Sequence, residues 1–420
     1  MDYFEIIGQN TLKGEIEISG SKNAVLPLIA ASILNENSLQ KFTNVPLLSD
    51  TITIIKLLEK MGASVSENEN SISIDNSKLN IPFAPYELVK TMRASFYVLG
   101  PLIAKFGEAR ISDPGGCAWG PRPIDFHIKG LKLLGVNFKR DHGYLNATTK
   151  RLTGSTISFP KISVGATGNV VMAAVLAKGT TRIYNASSEP EIQQLCNYLN
   201  IMGAQISGIG TNEIVIEGVK SLSTNKSIKI IPDRIEAGTF LIAAAAVGGE
   251  VQLNNIAIEH LSTVIDKLRQ TNVLIETNSS SIRIKSNPNI LNAVDLETNE
   301  YPGFPTDLQA QWMSLMSVIN GNSNLKENIY FDRFTHVPEL NRLGCKITLD
   351  KNNAKIRGKS NLSGAQIMST DIRASAALII AALCAEGLTR IDRIYHIDRG
   401  YYKIENKLSK IGANIVRKKT

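Results

Sequence analysis

The stretch Leu58-Glu-Lys-Met-Gly62-Ala-Ser-Val65 decides the fold, because its pattern of helix end, turn and strand recurs along the 420-residue chain. The other copies are Leu131-Lys-Leu-Leu-Gly135-Val-Asn-Phe138, Leu199-Asn-Ile-Met-Gly203-Ala-Gln-Ile206, Leu268-Arg-Gln-Thr-Asn272-Val-Leu-Ile275, Leu340-Asn-Arg-Leu-Gly344-Cys-Lys-Ile347 and Leu408-Ser-Lys-Ile-Gly412-Ala-Asn-Ile415. The turn positions 62, 135, 203, 272, 344 and 412 are nearly evenly spaced, about 70 residues apart. Such a period is typical of a fold built from one repeated supersecondary unit.

Each turn position carries Gly, or Asn at 272, and these residues tolerate the left-handed backbone that follows a helix. Each copy is therefore predicted to be an amphipathic helix, a left-handed turn and a strand. Ala-rich, nearly all-apolar segments at 23–34, 91–106 and 370–384 predict helices buried on all sides. The predicted fold class is α/β, with buried helices inside and sheets and amphipathic helices outside.

The length of the chain also bears on its organisation. A chain of 420 residues exceeds what one hydrophobic core usually supports. Six units then divide naturally into two inside-out α/β barrel domains of three units each, with a ligand site expected in the cleft between them. A repeat scaffold that only binds is the alternative, as in many solenoids.

Composition excludes several classes of protein. The chain is 43% hydrophobic and 20% charged, which is typical of a globular protein rather than a disordered one. No apolar run approaches the roughly 20 residues of a membrane span. The first residues lack a basic region before an apolar stretch, so we expect a cytoplasmic protein without a membrane association. Four cysteines without CxxC spacing predict neither a disulfide framework nor a zinc site.

The net charge of +8 indicates anionic partners, among which nucleic acid is the simplest. Basic residues are nevertheless scattered, apart from short clusters such as the one at 417–419. Aromatic residues make up only 6% of the chain, so no base-stacking platform is indicated. We therefore predict no nucleic-acid partner.

Charged residues open several of the predicted apolar helices. Superposing the units by repeat position aligns Lys22, Arg93, the 161–165 stretch, Asp307 and Arg373. Helix N-termini attract anions, so these positions together predict an anion site. Asp307 is the one carboxylate of the set and is a candidate base, although a simple helix N-cap is an equally ordinary role. Arg373 has its own alternative, which is to neutralise Asp371.

The segment Asp113-Pro-Gly-Gly-Cys117-Ala-Trp-Gly-Pro-Arg122-Pro-Ile-Asp125-Phe-His127 is rich in turn residues and predicts a surface loop. A thiol in such a loop, five residues from an arginine, has the surroundings that make cysteine reactive. Cys196, Cys345 and Cys384 lie in apolar patterns, where cysteine behaves as a small hydrophobic residue.

Together these segments resemble the enolpyruvyl transferase family, and within it the branch that acts on UDP-N-acetylglucosamine. The motifs that carry the resemblance are Gly20-Ser-Lys22-Asn23-Ala24, Thr91-Met-Arg93-Ala-Ser95, the Cys117 loop, Gly303-Phe-Pro-Thr-Asp307, His336-Val-Pro-Glu-Leu340 and His396-Ile-Asp-Arg399-Gly-Tyr401. The resemblance implies an EPSP synthase-like fold in which the N-terminal strand crosses over. Its domains would be 21–230, carrying the Cys117 loop, and 1–20 with 231–420, carrying Asp307, Arg373 and Arg399.

The resemblance also implies a reaction and the residues that perform it. The enolpyruvyl group of phosphoenolpyruvate would move to the sugar 3-hydroxyl, with Asp307 as base and Cys117 as acid. The phosphoenolpyruvate anion would be held by Lys22, Arg122, Arg373 and Arg399. The UDP-sugar would contact Asn23, Arg93, Arg122, Pro123, Ile124, Asp125, Phe126, Lys161, Ile162, Ser163, Val164, Asp307 and Ile329. No metal or cofactor is expected.

Further expectations follow from the same resemblance. The reaction would be the first committed step of peptidoglycan synthesis, and so would support cell-wall formation, cell shape and division. Fosfomycin would react covalently with Cys117. Asp113 stands where the family usually has an apolar residue, and its charge would raise the pKa of Cys117 and slow that reaction. Two rivals stay open: the sister enzyme that uses shikimate 3-phosphate, and a non-catalytic anion- or nucleic-acid-binding protein.

Overall fold

A computed structural model of the chain describes residues 2–37, 39–113 and 124–419. The chain divides into two compact units, one of residues 20–231 and one of residues 1–19 with 232–420. Each unit has its own hydrophobic core. Among the described residues, no helix is long and apolar enough to cross a membrane. The assignment of these units as domains stays a prediction.

Strands and helices alternate along both units. In chain order, the strands are β1 (Asp2–Ile7), β2 (Leu12–Glu17), β3 (Leu39–Thr43), β4 (Ser64–Asn68), β5 (Ser71–Asp75), β6 (Phe83–Ala84), β7 (Glu108–Ser112), β8 (Asn137–Asp141), β9 (Tyr144–Thr148), β10 (Thr156–Ser158), β11 (Thr180–Tyr184), β12 (Gln205–Ser207), β13 (Glu213–Glu217), β14 (Ile228–Lys229), β15 (Gly249–Asn254), β16 (Leu274–Thr277), β17 (Ser281–Ser286), β18 (Leu296–Thr298), β19 (Asn322–Glu327), β20 (Lys346–Asp350), β21 (Asn353–Arg357), β22 (Gln366–Met368), β23 (Leu388–Asp392) and β24 (Asn414–Lys419). The helices are α1 (Lys22–Ala31), α2 (Ser49–Lys60), α3 (Tyr86–Val89), α4 (Leu99–Phe106), α5 (Asp125–Leu133), α6 (Val164–Ala174), α7 (Pro190–Ile201), α8 (Arg234–Val247), α9 (Ser262–Gln270), α10 (Gln309–Val318), α11 (Val337–Arg342), α12 (Ile372–Cys384) and α13 (Ile404–Lys410).

The strands form four-stranded sheets that share one plan. In the sheet β6-β7-β9-β8, for example, the first pair is parallel and the other two pairs are antiparallel. The sheets β10-β11-β13-β12 and β18-β19-β21-β20 have the same order. Strand β14 supplies the parallel strand of the sheet that contains β3, so the sheet of the first repeat is completed from the end of the 20–231 unit.

The N-terminal strands belong to sheets of the 232–420 segment. Strand β1 pairs antiparallel with β23 and β24, and β2 pairs parallel with β15. The crossing of the N-terminus that the resemblance implied therefore involves two strands, one in the last repeat and one in the first repeat of that unit. Their side chains alternate between buried and exposed, because each sheet covers the core with one face.

The repeat turns have the predicted left-handed backbone. The φ angles are 105° at Gly62, 95° at Gly135, 105° at Gly203, 74° at Asn272, 102° at Gly344 and 96° at Gly412. Each turn follows an amphipathic helix (α2, α5, α7, α9, α11 or α13) and precedes a strand. The prediction of helix, left-handed turn and strand is confirmed in all these copies.

Buried helices occupy the centre of each unit. In one unit α8, α10 and α12 contact one another; in the other, α4 contacts α6. These helices are apolar on nearly every side, as their Ala-rich sequences predicted. The segment predicted as one helix over 91–106 is instead a 3-10 helix, Arg93–Val98, followed by α4. The α/β, inside-out architecture of repeated units is confirmed.

Candidate active site

Asp307 is the centre of the charge cluster in the unit of residues 1–19 and 232–420. It lies in a 3-10 turn, Thr306–Leu308, that leads into α10. Its Oδ1 lies 2.8 Å from Nη1 of Arg333, and its Oδ2 lies 2.8 Å from Nη2 of Arg373. Both arginine side chains are buried, whereas the Asp307 side chain is 25% exposed. The carboxylate is thus held between two cations yet open to a ligand.

The two arginines decide the protonation of this carboxyl group. Burial by itself would raise the pKa of Asp307, but the charges of Arg373 and Arg333 and their hydrogen bonds outweigh it and hold the pKa well below the usual value. Burial would likewise lower the pKa of Arg373, yet Asp307 raises it, so the arginine stays charged. Asp307 is therefore ionised at neutral pH, as a base has to be before it accepts a proton.

The structure decides between the roles that the sequence left open for these residues. Asp307 does not act as a helix N-cap, because it lies inside the 3-10 turn and neither that turn nor α10 has a side-chain cap. Asp371 caps α12, since its Oδ1 accepts from the backbone N–H groups of Arg373 and Ala374. The side chain of Arg373 pairs with Asp307, so the alternative that it neutralises Asp371 is wrong.

A buried hydrogen-bond network lies behind Asp307. Nε2 of Gln311 shares its two N–H groups among three acceptors: the backbone O of Asp307 at 3.1 Å, Oγ1 of Thr239 at 3.1 Å and the hydroxyl of Tyr401 at 3.2 Å. The Thr239 and Tyr401 hydroxyls are 2.8 Å apart. The Arg373 guanidinium lies 5.5 Å from the Tyr401 ring centroid, within cation–π range. Through Gln311, the network connects the backbone of Asp307 to Tyr401, whose ring lies beside Arg373.

Two other predicted residues lie in the same unit. Ile329 follows β19 in a loop and is partly buried, with its N–H bonded to Oε1 of Glu327. Arg399 ends a 3-10 helix, Ile394–Arg399, that packs on α12 and is partly buried. The pKa of His396 is lowered chiefly by burial, and the nearby charge of Arg399 lowers it further.

Sequence reasoning missed three residues of this cluster: Arg333, Glu327 and Tyr401. Arg333 stands three residues before the His336 motif, in the loop after β19. A charged residue at that position was the available signal. Glu327 carried no such signal, because a lone glutamate at a strand end is ordinary in any sequence. Tyr401 ends the His396 motif, but nothing in the sequence assigned a role to it.

In the 20–231 unit, the predicted residues open several helices. Lys22 is the first residue of α1, which is capped by the Ser21 hydroxyl, and its Nζ lies 3.6 Å from Oδ2 of Asp50. Asn23 follows it. Helix α1 contacts the 3-10 helix that begins at Arg93. The two helices that Lys22 and Arg93 open therefore pack against each other.

His127, near the start of α5, packs against α6. It lies in α5, whose first residues are Asp125 and Phe126. Its Nδ1 is 2.9 Å from Nδ2 of Asn169 in α6. A Cβ placed on Gly165 would lie 3.1 Å from the imidazole, so the glycine permits this close packing. Burial, and then the charge of Arg93, lower the His127 pKa to about 3, so the ring is neutral.

The remaining predicted contacts surround the starts of α5 and α6. Ser163 caps α6 through its hydroxyl, and Val164 is the first residue of the helix. Lys161 is exposed, and Ile162 is partly buried. Ile124 precedes α5 and is buried, while the Phe126 ring packs 6.2 Å from the Phe159 ring. Cys117, Arg122 and Pro123 lie outside the described residues, and their roles stay predictions.

No metal or disulfide chemistry is visible in the part of the chain that the structure describes. No group of three or more His, Cys, Asp or Glu side chains there could hold a metal ion. Cys196, Cys345 and Cys384 are free thiols. Burial raises the pKa of each of these thiols, which suits their predicted role as small hydrophobic residues.

The described residues thus combine a repeated α/β fold with an ionised carboxylate held between two buried arginines. The family model described as EPSP synthase (3-phosphoshikimate 1-carboxyvinyltransferase) matches residues 6–408. The chain therefore belongs to the EPSP synthase family.

Relatives within this family are more specific. The chain is 50% identical over 422 residues to a UDP-N-acetylglucosamine 1-carboxyvinyltransferase of Myxococcus xanthus, covering 100% of both chains. It is 50% identical over 418 residues to the enzyme of the same name from Trichlorobacter lovleyi, covering 99% of both. Among solved structures, the enolpyruvyl transferase NikO from Streptomyces tendae aligns with a TM-score of 0.92 at 24% identity, over 100% of this chain and 99% of NikO. This likeness confirms the predicted fold.

Proposed function

We propose that this protein transfers the enolpyruvyl group of phosphoenolpyruvate to the 3-hydroxyl of UDP-N-acetylglucosamine and releases phosphate. The observation that carries the proposal is the 50% identity, over full length, to enzymes named for this activity. The sister reaction on shikimate 3-phosphate is not favoured, because a solved EPSP synthase from Acinetobacter baumannii is only 18% identical, although it covers 100% of the chain. A non-catalytic binding protein is not favoured by any of these relatives.

The proposed chemistry is an addition followed by an elimination. Asp307 takes the proton of the sugar 3-hydroxyl while the oxygen of that hydroxyl bonds to C2 of phosphoenolpyruvate. Cys117 protonates C3. In the resulting tetrahedral intermediate a base removes a proton from C3 as the bond from C2 to the phosphate oxygen breaks, which releases phosphate and leaves the enol ether. The cations at Lys22, Arg122, Arg373 and Arg399 stabilise the negative charge of the phosphate and carboxylate. Asp307 and Arg373 are already paired at 2.8 Å.

The proposal divides the residues between two domains, 21–230 with the Cys117 loop and 1–20 with 231–420. In the first, Asn23, Arg93, Asp125, Phe126 and Ser163 contact the UDP-sugar. Pro123, Ile124, Lys161, Ile162 and Val164 line the same site, and Ile329 of the second domain also contacts it. On the same proposal the protein acts in the cytoplasm and catalyses the first committed step of peptidoglycan synthesis. The reaction needs no metal, and fosfomycin inhibits it by reacting with Cys117.

Phosphate release tests the reaction. The wild type should release phosphate from phosphoenolpyruvate with UDP-N-acetylglucosamine and not with shikimate 3-phosphate. Asp307→Asn should lose the release, whereas Asp266→Asn, which changes an exposed aspartate of α9, should keep it. Release with shikimate 3-phosphate alone would move the protein to the sister activity. Full release in Asp307→Asn would remove that residue as the base.

A further inference from the structure

Glu327 is a buried carboxylate that neither the sequence motifs nor the proposed reaction accounts for. It is the last residue of β19, and its relative exposure is 0%. Burying a carboxylate is costly unless hydrogen bonds satisfy its oxygens. Its surroundings therefore show what the side chain is held there to do.

Both carboxylate oxygens of Glu327 have partners. Oε1 accepts from the backbone N–H groups of Ile329 at 2.9 Å and Tyr330 at 3.0 Å. Oε2 accepts from the hydroxyl of Thr306 at 3.0 Å. One side chain thus fixes the loop after β19 and also the residue next to Asp307.

The Thr306 hydroxyl extends this arrangement to the charge cluster. It accepts from Nη1 of Arg333 at 3.0 Å while it donates to Glu327. The same Nη1 lies 2.8 Å from Oδ1 of Asp307. Because a guanidinium can only donate, the Thr306 hydroxyl accepts from Arg333 and its own proton is left to point at Glu327. Glu327 is therefore linked to Asp307 through Thr306 and Arg333.

We propose that Glu327 is a positioning residue for the proposed reaction: through Thr306 it orients Arg333 against Asp307, and through its other oxygen it fixes the backbone at Ile329. This inference rests on the proposed function, in which Asp307 takes the sugar proton and Ile329 contacts the UDP-sugar. Glu327 itself contacts neither substrate. It acts by fixing the position of Asp307 relative to the loop at Ile329 that contacts the UDP-sugar.

The hydroxyl of Thr306 offers the sharpest test, because it can be removed and restored while residue 327 itself stays glutamate. Thr306→Val removes the link at nearly constant volume, and Thr306→Ser keeps it. We expect kcat to fall roughly 10-fold to 100-fold in Thr306→Val, since small misplacements of catalytic groups cost up to that much. KM for the UDP-sugar should change less than about two-fold, because the bonds to Ile329 remain. Thr306→Ser should recover most of kcat.

A matched control separates positioning from stability. Thr271 is buried, and its hydroxyl bonds to the backbone O of Leu268 at 2.7 Å in the turn after α9. Thr271→Val should therefore lower the melting temperature about as much as Thr306→Val and leave kcat unchanged. If both valine variants lose activity in proportion to their stability, or if Thr306→Ser does not recover, the inference is wrong.

A readout without turnover distinguishes this inference from the proposed function. Glu327→Gln keeps one acceptor but loses the charge that strengthens its bonds to Ile329 and Tyr330. Amide hydrogen exchange at these two positions should become about five-fold faster or more, whereas exchange in β21 should not change. Unchanged exchange at both amides would overturn the positioning role, whether or not the wild type proves to act on UDP-N-acetylglucosamine. An inactive wild type with faster exchange would overturn only the reaction.

Discussion

Asp307 and Arg333 form an ion pair in which Oδ1 of the carboxylate lies 2.8 Å from Nη1 of the guanidinium. Arg373 binds the second oxygen at the same distance. A carboxylate held in this way is fully ionised but weakly basic. In the proposed reaction Arg373 also binds the phosphoenolpyruvate anion. We therefore expect the substrate to draw Arg373 from Asp307 and so to raise the basicity of the carboxylate when it is needed.

Arg333→Met should change the pH dependence of the reaction. Removing one of two cations raises the pKa of Asp307, so the base becomes protonated, and activity is lost, at a higher pH than in the wild type. An opposite charge at this distance lowers a carboxyl pKa by about one unit or more, and the acid limb of kcat/KM should move upward by about that amount. The measurement is a pH–rate profile between pH 4 and about 9.

A matched arginine provides the control for this prediction. Arg342 lies in α11, is largely exposed and pairs with Glu339. Arg342→Met should leave the acid limb where the wild type has it. Coincident limbs in the wild type and Arg333→Met would contradict the assignment of Asp307 as the titrating base.

Tyr401→Phe tests the network behind Asp307. The variant keeps the ring beside Arg373 and removes the hydroxyl that bonds to Thr239 and Gln311. Losing one buried hydrogen-bonding group should cost about 1–2 kcal/mol of unfolding free energy. We also expect a fall in kcat of about 10-fold, since Gln311 also bonds to the backbone of Asp307. Urea unfolding and steady-state kinetics measure the two effects.

Tyr198→Phe is the corresponding control in the other unit. The Tyr198 hydroxyl is also buried and bonds to Oε1 of Gln40 at 3.1 Å. The substitution should lower stability by a similar amount and leave kcat unchanged. Equal losses of kcat in the two variants would show that Tyr401 acts through stability alone.

The sequence predicted the fold well because each repeat is marked by a local pattern of helix, turn and strand that recurs at regular intervals. A glycine or asparagine after an amphipathic helix predicts a left-handed turn that ends the helix, and six such turns about 70 residues apart specify the repeat. The helix over 91–106 was predicted too long, because the apolar pattern does not separate the 3-10 helix Arg93–Val98 from α4. Apolar periodicity reports burial, whereas the kind of helix depends on how the backbone packs.

The site was predicted in part, and the missing part is non-local. Asp307 and Arg373 were found because they open helices, which is visible in the sequence. Their direct pairing, and the entry of Arg333 from the loop after β19, depend on three segments that meet only in the folded chain. Glu327 was missed for the same reason, since its bond to Thr306 joins two different segments of the fold.

Gly62 and Gly203 should differ sharply in their tolerance of asparagine. Both have a φ of 105°, and Asn272 shows that asparagine is accommodated at an equivalent turn. A Cβ on Gly62 would lie 2.4 Å from the carbonyl O of Lys78, whereas a Cβ on Gly203 would meet nothing within 4 Å. Gly62→Asn should therefore be about 1–3 kcal/mol more destabilising than Gly203→Asn. Denaturant unfolding measures the difference, and equal losses would mean that the turn at Gly62 relaxes freely.

If fosfomycin inactivates the protein through Cys117, as proposed, charges near Asp113 should set the rate of that reaction. Oδ2 of Asp113 lies 3.4 Å from Nε of Arg140, and both side chains are at least one-third exposed. If the carboxylate disfavours the thiolate four residues along the chain, Asp113→Asn should speed inactivation. Arg140→Gln should slow it, because the substitution leaves the carboxylate uncompensated. Exposed charges act weakly and are screened by salt, so each change should be about two-fold to five-fold and should shrink in 1 M salt.

Lys139→Gln has the same net charge as Arg140→Gln and serves as its control. A slower rate in Asp113→Asn, or equal slowing in the Lys139 and Arg140 variants, would mean that Asp113 does not govern the thiol.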